Sequence, residues 1–155
     1  MVDLVRKGHN VVVSKTFSKI YGLAGLRLGY LIAKPELTAR IARYHMGISN
    51  NQPAIAAAKA CFGDKDFMES CRRKNAEARA HLTSYLDKKG IWHADSHTNF
   101  VFFEAKENAS QVLSKLDERG IAIRLWDYNQ RQWYRVSMGT LDEMNIFTKA
   151  FDEIV

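Results

Sequence analysis

Val11-Val12-Val13-Ser14-Lys15-Thr16-Phe17-Ser18-Lys19-Ile20-Tyr21-Gly22-Leu23-Ala24-Gly25-Leu26-Arg27-Leu28-Gly29-Tyr30 is the most informative run of the chain. An apolar stretch delivers two hydroxyls, Thr16 and Ser18, and a lysine, Lys19, into a glycine-bearing turn, and Arg27 follows on the way out. This is the composition of an anion site built around an amine. A lysine that attacks a carbonyl needs neighbouring cations or desolvation to favour its neutral form. An arginine offers a phosphate a bidentate fork, and hydroxyls complete the donor set. Ser14-Lys15-Thr16 has the look of the end of a nucleotide-cradling P-loop, but that loop needs glycines where this chain has His9 and Ser14. The P-loop is rejected.

The run resembles the lysine motif of fold-type I enzymes that use pyridoxal 5'-phosphate. Among these it is most similar to the class I/II aminotransferases of the histidinol-phosphate aminotransferase group. The resemblance implies that Lys19 carries the cofactor as a Schiff base and that Thr16, Ser18 and Arg27 bind its phosphate. Lys15 is the rival, since it also follows a serine. It lacks the hydroxyl-rich approach and lies farther from Arg27, so Lys19 is preferred. A lone Ser-Lys pair is ordinarily a solvated surface feature; the whole run sets this one apart.

Composition bounds the remaining possibilities. The chain has 155 residues, about one ordinary domain or one and a small piece of another, and with 46% of them hydrophobic and 26% charged it has the balance of a soluble globular protein. No apolar stretch approaches the ~20 residues of a membrane span. Met1–Lys7 lacks the apolar core of a secretory signal. Cys61 and Cys71 fall in helix-like sequence with no metal-type spacing, and read as reduced thiols of a cytoplasmic protein. The net charge of +6 is spread along the chain, with part of it assigned to phosphate-binding arginines, so no nucleic acid is expected as a partner.

The pattern of apolar residues predicts an α/β chain. Two short strands are expected at Val11–Phe17 and Leu26–Ala33. A helix opens at Lys34-Pro35-Glu36 and runs to Met46, where Gly47 stops it. A polar loop, 48–52, precedes a helix over Pro53–Phe62. A long helix follows over Asp66–Lys88, with Phe67, Cys71, Ala78, Leu82 and Tyr85-Leu86 as its apolar stripe and Gly90 closing it. Strand Asn99–Glu104, helix Ser110–Arg119, strands Ile121–Leu125 and Trp133–Ser137, and a last helix opened by the capping-box pair Thr140 and Glu143 complete the chain.

This order resembles the second half of the aminotransferase fold. The implied organisation is a partial large, cofactor-binding domain carrying the last strands of its sheet (1–65), a long connecting helix (66–89) and a small C-terminal α/β domain (90–155). A second match lies in Trp133-Tyr134-Arg135-Val136-Ser137-Met138-Gly139-Thr140, which resembles the family's Arg-hydrophobic-Ser-hydrophobic-Gly-Thr segment. Its Arg135 would clamp the substrate α-carboxylate fork to fork. Arg124, after Ile121-Ala122-Ile123, lies where histidinol-phosphate aminotransferases bind the substrate phosphate, although a structural ion pair explains it nearly as well. Asn99 stands at a recurrent family position near the substrate arginine. Tyr21 and Tyr30 are read as packing residues. His93 and His97 are four apart, but they flank a turn-like segment without a third ligand, so no metal is expected.

The implied activity moves an amino group between an amino acid or histidinol-phosphate-like amino-alcohol phosphate and a 2-oxo acid, with Lys19 shuttling a proton. The family places an acidic partner for the pyridinium nitrogen, a stacking ring and a phosphate turn N-terminal to the lysine strand. This chain starts eighteen residues before Lys19. The expectation is therefore a fragment or truncated product, inactive in isolation, whose uncovered sheet edge is closed by a partner such as a second copy in a homodimer. The competing readings are a non-catalytic half-fold that acts as a scaffold, and another reaction of the same cofactor, decarboxylation or acyl-transfer condensation.

Overall fold

A computed structural model describes residues 1–44, 50–106 and 108–155. The chain divides into two compact units, Met1–Glu69 and Ser70–Val155.

In the first unit, a short helix α1 (Val2–Arg6) precedes strands β1 (Val13–Thr16) and β2 (Gly29–Ile32). The strands pair antiparallel, with Val13 opposite Ile32 and Thr16 opposite Gly29. A Cβ on Gly29 would meet the Lys15 carbonyl oxygen at 2.8 Å, so only glycine permits this approach. Both strands are shorter than the sequence suggests because residues 17–28 form a structured turn of their own. Phe17 N–H still donates to Leu28 O (3.1 Å), after which Gly22 N–H bonds Lys19 O (2.9 Å) and Leu23 N–H bonds Phe17 O (3.0 Å). A 3-10 turn at Ala24–Leu26 then ends at Arg27, in the left-handed region at φ 52°.

Helix α2 (Pro35–Ala42) starts with proline at its first turn, as expected. Arg43 and Tyr44 turn away from it. The expected terminus at Met46 and Gly47 lies outside the described residues. Helix α3 (Gln52–Gly63) begins one residue earlier than anticipated because the Asn51 side chain caps it, accepting from Ala54 N–H at 2.7 Å.

Helix α4 (Lys65–Lys88) is the longest element, 24 residues. Asp64 caps its start through Phe67 N–H (2.9 Å). Gly90, at φ 65°, ends it, while Ile91 N–H returns to Leu86 O (2.9 Å). Ala78, Leu82 and Leu86 are fully buried, whereas Phe67 is 45% exposed. The expected stripe is therefore core in its second half alone, where α4 meets the C-terminal sheet.

That sheet contains β3 (Phe100–Glu104), β4 (Arg124–Tyr128) and β5 (Arg131–Ser137) in the order β3-β5-β4, all antiparallel. Helix α5 (Ala109–Asp117) joins β3 to β4, and α6 (Leu141–Asp152) follows β5. The strand predicted at Ile121–Leu125 is displaced: β4 starts at Arg124 and forms a tight hairpin with β5. Asn129 and Gln130 make the turn, at φ 52° and 59°, the positive pair of a type I′ connection. Alternation puts Val101, Phe103, Tyr134 and Val136 on the face that packs with α4, Val112 and Leu116 of α5, and Phe147 and Phe151 of α6. Phe100, Phe102, Trp126 and Arg135 consequently belong to the other face. Among the described residues, no helix is long and apolar enough to cross a membrane.

Candidate active site

The lysine turn is built on an aromatic base. Phe17, 3% exposed, anchors it. Its ring centroid lies 4.8 Å from that of Tyr21, 5.4 Å from Tyr30 and 5.3 Å from Phe62 of α3. Phe62 also touches Tyr21 (5.8 Å) and Tyr30 (5.9 Å). Tyr21 and Tyr30 thus pack, as read from the sequence. Burial, with Tyr21 adding a smaller contribution, raises the Tyr30 hydroxyl pKa.

With Phe17 turned inward, the next residues are presented outward: Ser18 is half-buried and Lys19 exposed. The Thr16 hydroxyl oxygen accepts Ser18 N–H at 3.0 Å, which leaves its own O–H free to donate to an anion. Arg27 donates Nη1–H to Ala24 O at 2.7 Å, using one of its five N–H groups. Among the described residues, no carboxylate forms an ion pair with Lys19 or Arg27. Asn51 Nδ2 reaches Leu26 O at 3.5 Å, tying the cap of α3 to the turn. Lys15, by contrast, sits inside β1 opposite Tyr30. Thr16, Ser18, Lys19 and Arg27 therefore share one turn of the first unit.

Arg124, Arg135 and Asn99 belong to the second unit. Arg135 stands directly opposite Phe102 on one side and Arg124 on the other. Its guanidinium carbon lies 4.1 Å from the Phe100 ring centroid. Phe100 and Phe102 (6.1 Å) and Phe102 and Trp126 (6.3 Å) continue the aromatic row. Among the described residues, neither arginine forms an ion pair. Asn99 immediately precedes β3, and its carbonyl accepts Met138 N–H at 2.9 Å. The neighbouring Thr98 carbonyl is held from α4 by Asn75 Nδ2 (3.2 Å) and Arg79 Nη1 (3.0 Å). Sequence reasoning missed this aromatic company and these α4 anchors. Phe100-Val101-Phe102-Phe103 is apolar throughout, so its alternation is invisible until the register is known.

The two histidines serve different carboxylates, His93 against Asp87 (3.1 Å) and His97 against Asp95 (3.6 Å). Among the described residues, no group of three or more His, Cys, Asp or Glu could hold a metal ion.

Comparison with known proteins gives this arrangement its context. Residues 1–151 match the family described as aminotransferase class I and II. Histidinol-phosphate aminotransferase 2 of Legionella pneumophila (strain Lens) is 36% identical over 150 residues, covering 96% of this chain and 41% of the relative. The crystal structure of histidinol-phosphate aminotransferase from Sinorhizobium meliloti, in complex with pyridoxal-5'-phosphate, superposes with a TM-score of 0.81 at 29% identity, covering 94% of this chain and 41% of that one. L-threonine-O-3-phosphate decarboxylase from Porphyromonas gingivalis has the same fold, with a TM-score of 0.81 at 24% identity over 98% of this chain and 49% of that one. The chain thus spans about two-fifths of the length of the aminotransferases it matches. With nearly every residue inside the family match and a fold shared with solved members, the chain belongs to the class I and II aminotransferases.

Proposed function

We propose that this chain supplies the cofactor lysine and the substrate-anion arginines of a pyridoxal 5'-phosphate-dependent aminotransferase. The reaction moves an amino group between an amino acid or histidinol-phosphate-like amino-alcohol phosphate and a 2-oxo acid. One observation carries the reading: a single turn presents an exposed amine, two hydroxyls and an arginine with no carboxylate paired to either cation among the described residues. That donor set fits a phosphate beside a reactive carbonyl. The names of the related aminotransferases support the substrate class. Residues 1–65 are assigned to the cofactor-binding domain, 66–89 to the connecting helix and 90–155 to the small domain.

When bound, the cofactor supplies a conjugated ring that delocalises the electron pair left by the broken Cα–H bond. The rest falls to side chains. Thr16, Ser18 and Arg27 hold the phosphate. Lys19 Nζ takes the proton from the substrate α-carbon. Arg135 grips the substrate carboxylate through paired N–H bonds and orients that carbon. Arg124 receives the phosphate of a phosphorylated donor, and Asn99 borders the same substrate region.

Borohydride reduction of the complete, cofactor-loaded gene product, followed by peptide mapping, tests the assignment. The label is expected on Lys19, and a label on Lys15 would overturn it. Lys19→Ala should lower turnover by about 10²–10⁴-fold while part of the cofactor affinity survives through the phosphate ligands. Product analysis separates the competing chemistry on this fold: carbon dioxide release without a 2-oxo acid would mark a decarboxylase.

A further inference from the structure

We propose that Phe100 is the positioning residue of Arg135: its ring holds the guanidinium in place for an anionic substrate group while leaving the N–H edge free. This inference rests on the reading of Arg135 as the carboxylate clamp. In the antiparallel ladder Arg135 is directly opposite Phe102, so Phe100 is its diagonal neighbour, within reach of a long side chain. The guanidinium carbon sits 4.1 Å from the ring centroid, well inside the ~6 Å range of a cation–π contact. The backbone of Phe100 is held by Thr98, whose Oγ1 donates to its carbonyl (3.0 Å) and accepts its N–H (3.3 Å), and its ring lies 6.1 Å from that of Phe102.

Arg131 provides the contrast within the same strand. It lies four residues earlier, on the same face as Arg135, and is paired with Glu104 at 3.4 Å. Arg119, elsewhere in the unit, is paired with Glu153 at 2.7 Å. A carboxylate steadies an arginine by occupying the very N–H fork that an incoming carboxylate needs. An aromatic face steadies it without accepting those in-plane donors. A free arginine would also have to give up more rotamer freedom on binding, and the ring restricts that freedom beforehand. Phe100 therefore preorganises an arginine whose donors stay available.

The test uses the complete holoenzyme and propionate, a probe that carries little beyond the carboxylate. Phe100→Leu should raise the propionate Kd about threefold to tenfold, and the KM of a carboxylate-bearing amino donor by a similar factor, with a smaller effect on kcat. Phe100→Tyr, which keeps the π-face, should restore wild-type values. Replacing Phe100 with pentafluorophenylalanine keeps the shape but reverses the ring quadrupole, so it decides the matter even if Phe100→Leu destabilises the sheet. It should weaken propionate as much as the leucine variant does. Wild-type propionate affinity in the pentafluoro variant, alongside weakened binding in Arg135→Ala, would reduce Phe100 to packing and overturn the proposal while the clamp stands. Failure of the wild type to bind propionate, or of Arg135→Ala to weaken it, would instead remove the clamp, and the proposal with it.

Discussion

Arg124 and Arg135 face each other across β4 and β5 with no ion pair to either among the described residues, a placement in which like-charge repulsion disfavours the sheet. Like charges directly opposite on a ladder destabilise it by the same few tenths to one kcal/mol that opposite charges contribute. Function and stability should therefore respond with opposite signs. Arg124→Ala should stabilise the ligand-free protein by about 0.2–1 kcal/mol, read as a higher thermal midpoint. In the complete enzyme the same change should weaken a phosphorylated donor by roughly 1.5–3 kcal/mol more than an unphosphorylated amino acid. Equal losses for both donors would eliminate Arg124 as a phosphate ligand and leave a general aminotransferase. Arg135→Ala should penalise carboxylate-bearing donors whatever Arg124 does.

Helix α6 is the element whose local chemistry is most explicit. Thr140 N–H (2.6 Å) and Thr140 Oγ1 (3.1 Å) donate to the Glu143 carboxylate, while Glu143 N–H donates to Thr140 Oγ1 (3.2 Å). The Thr140 backbone bond, then the hydroxyl, holds the Glu143 carboxyl below its ordinary range. The native state thus releases this proton more readily than the unfolded chain. Its stabilising contribution is complete above the unfolded value of about 4.3 and is lost as pH falls through the depressed native value. Glu143→Gln should remove that acid-side dependence, measured as the difference in unfolding free energy between variant and wild type across pH 2–6 (about four units). Wild-type acid sensitivity in the variant would refute the role. A Cβ on Gly139 would collide with the Glu143 carboxylate, the far end of a flexible side chain, so Gly139→Ala should displace only the Glu143 half of the box and cost less than Thr140→Ala, which removes the cap itself at about 1 kcal/mol. Elements with such signals were legible in the sequence: α6 from Thr140 and Glu143, and the end of α4 from Gly90. The β4–β5 hairpin was not, because Asn129-Gln130 puts a non-glycine residue at each positive-φ position. Ile121 and Ile123 misled for a different reason, since they pack on the core from outside the strand. The same distinction governs the site. Thr16, Ser18, Lys19 and Arg27 are close in sequence and readable as one motif, whereas the contact of Arg135 with Phe100 exists only once two strands are in register.

The two units differ in how much apolar surface each withdraws from water. Among the described residues, the buried apolar side chains before Ser70 are Phe17, Ala54 and Ala58, and two of these are alanines. The second unit gathers Leu82, Leu86, Val101, Phe103, Leu116, Phe147 and Phe151 with their neighbours into one cluster. Hydrophobic stabilisation scales with the area removed from water, and short segments are already marginal against their conformational entropy. Residues 65–155 should consequently fold alone, with α4 covering the sheet, and unfold in one cooperative transition. Phe103 is fully buried and in ring contact with Tyr134 (5.4 Å) and Phe151 (5.7 Å). Phe103→Ala should cost that unit about 3–5 kcal/mol, enough to shift or abolish its transition. Residues 1–64 on their own should show no cooperative transition, because one phenylalanine and two alanines cannot offset the ordering of the lysine turn. Circular dichroism and amide proton dispersion of the two polypeptides check both halves of the expectation. A sharp unfolding transition in residues 1–64, or none in residues 65–155, would mean that the buried cluster is not what stabilises the chain.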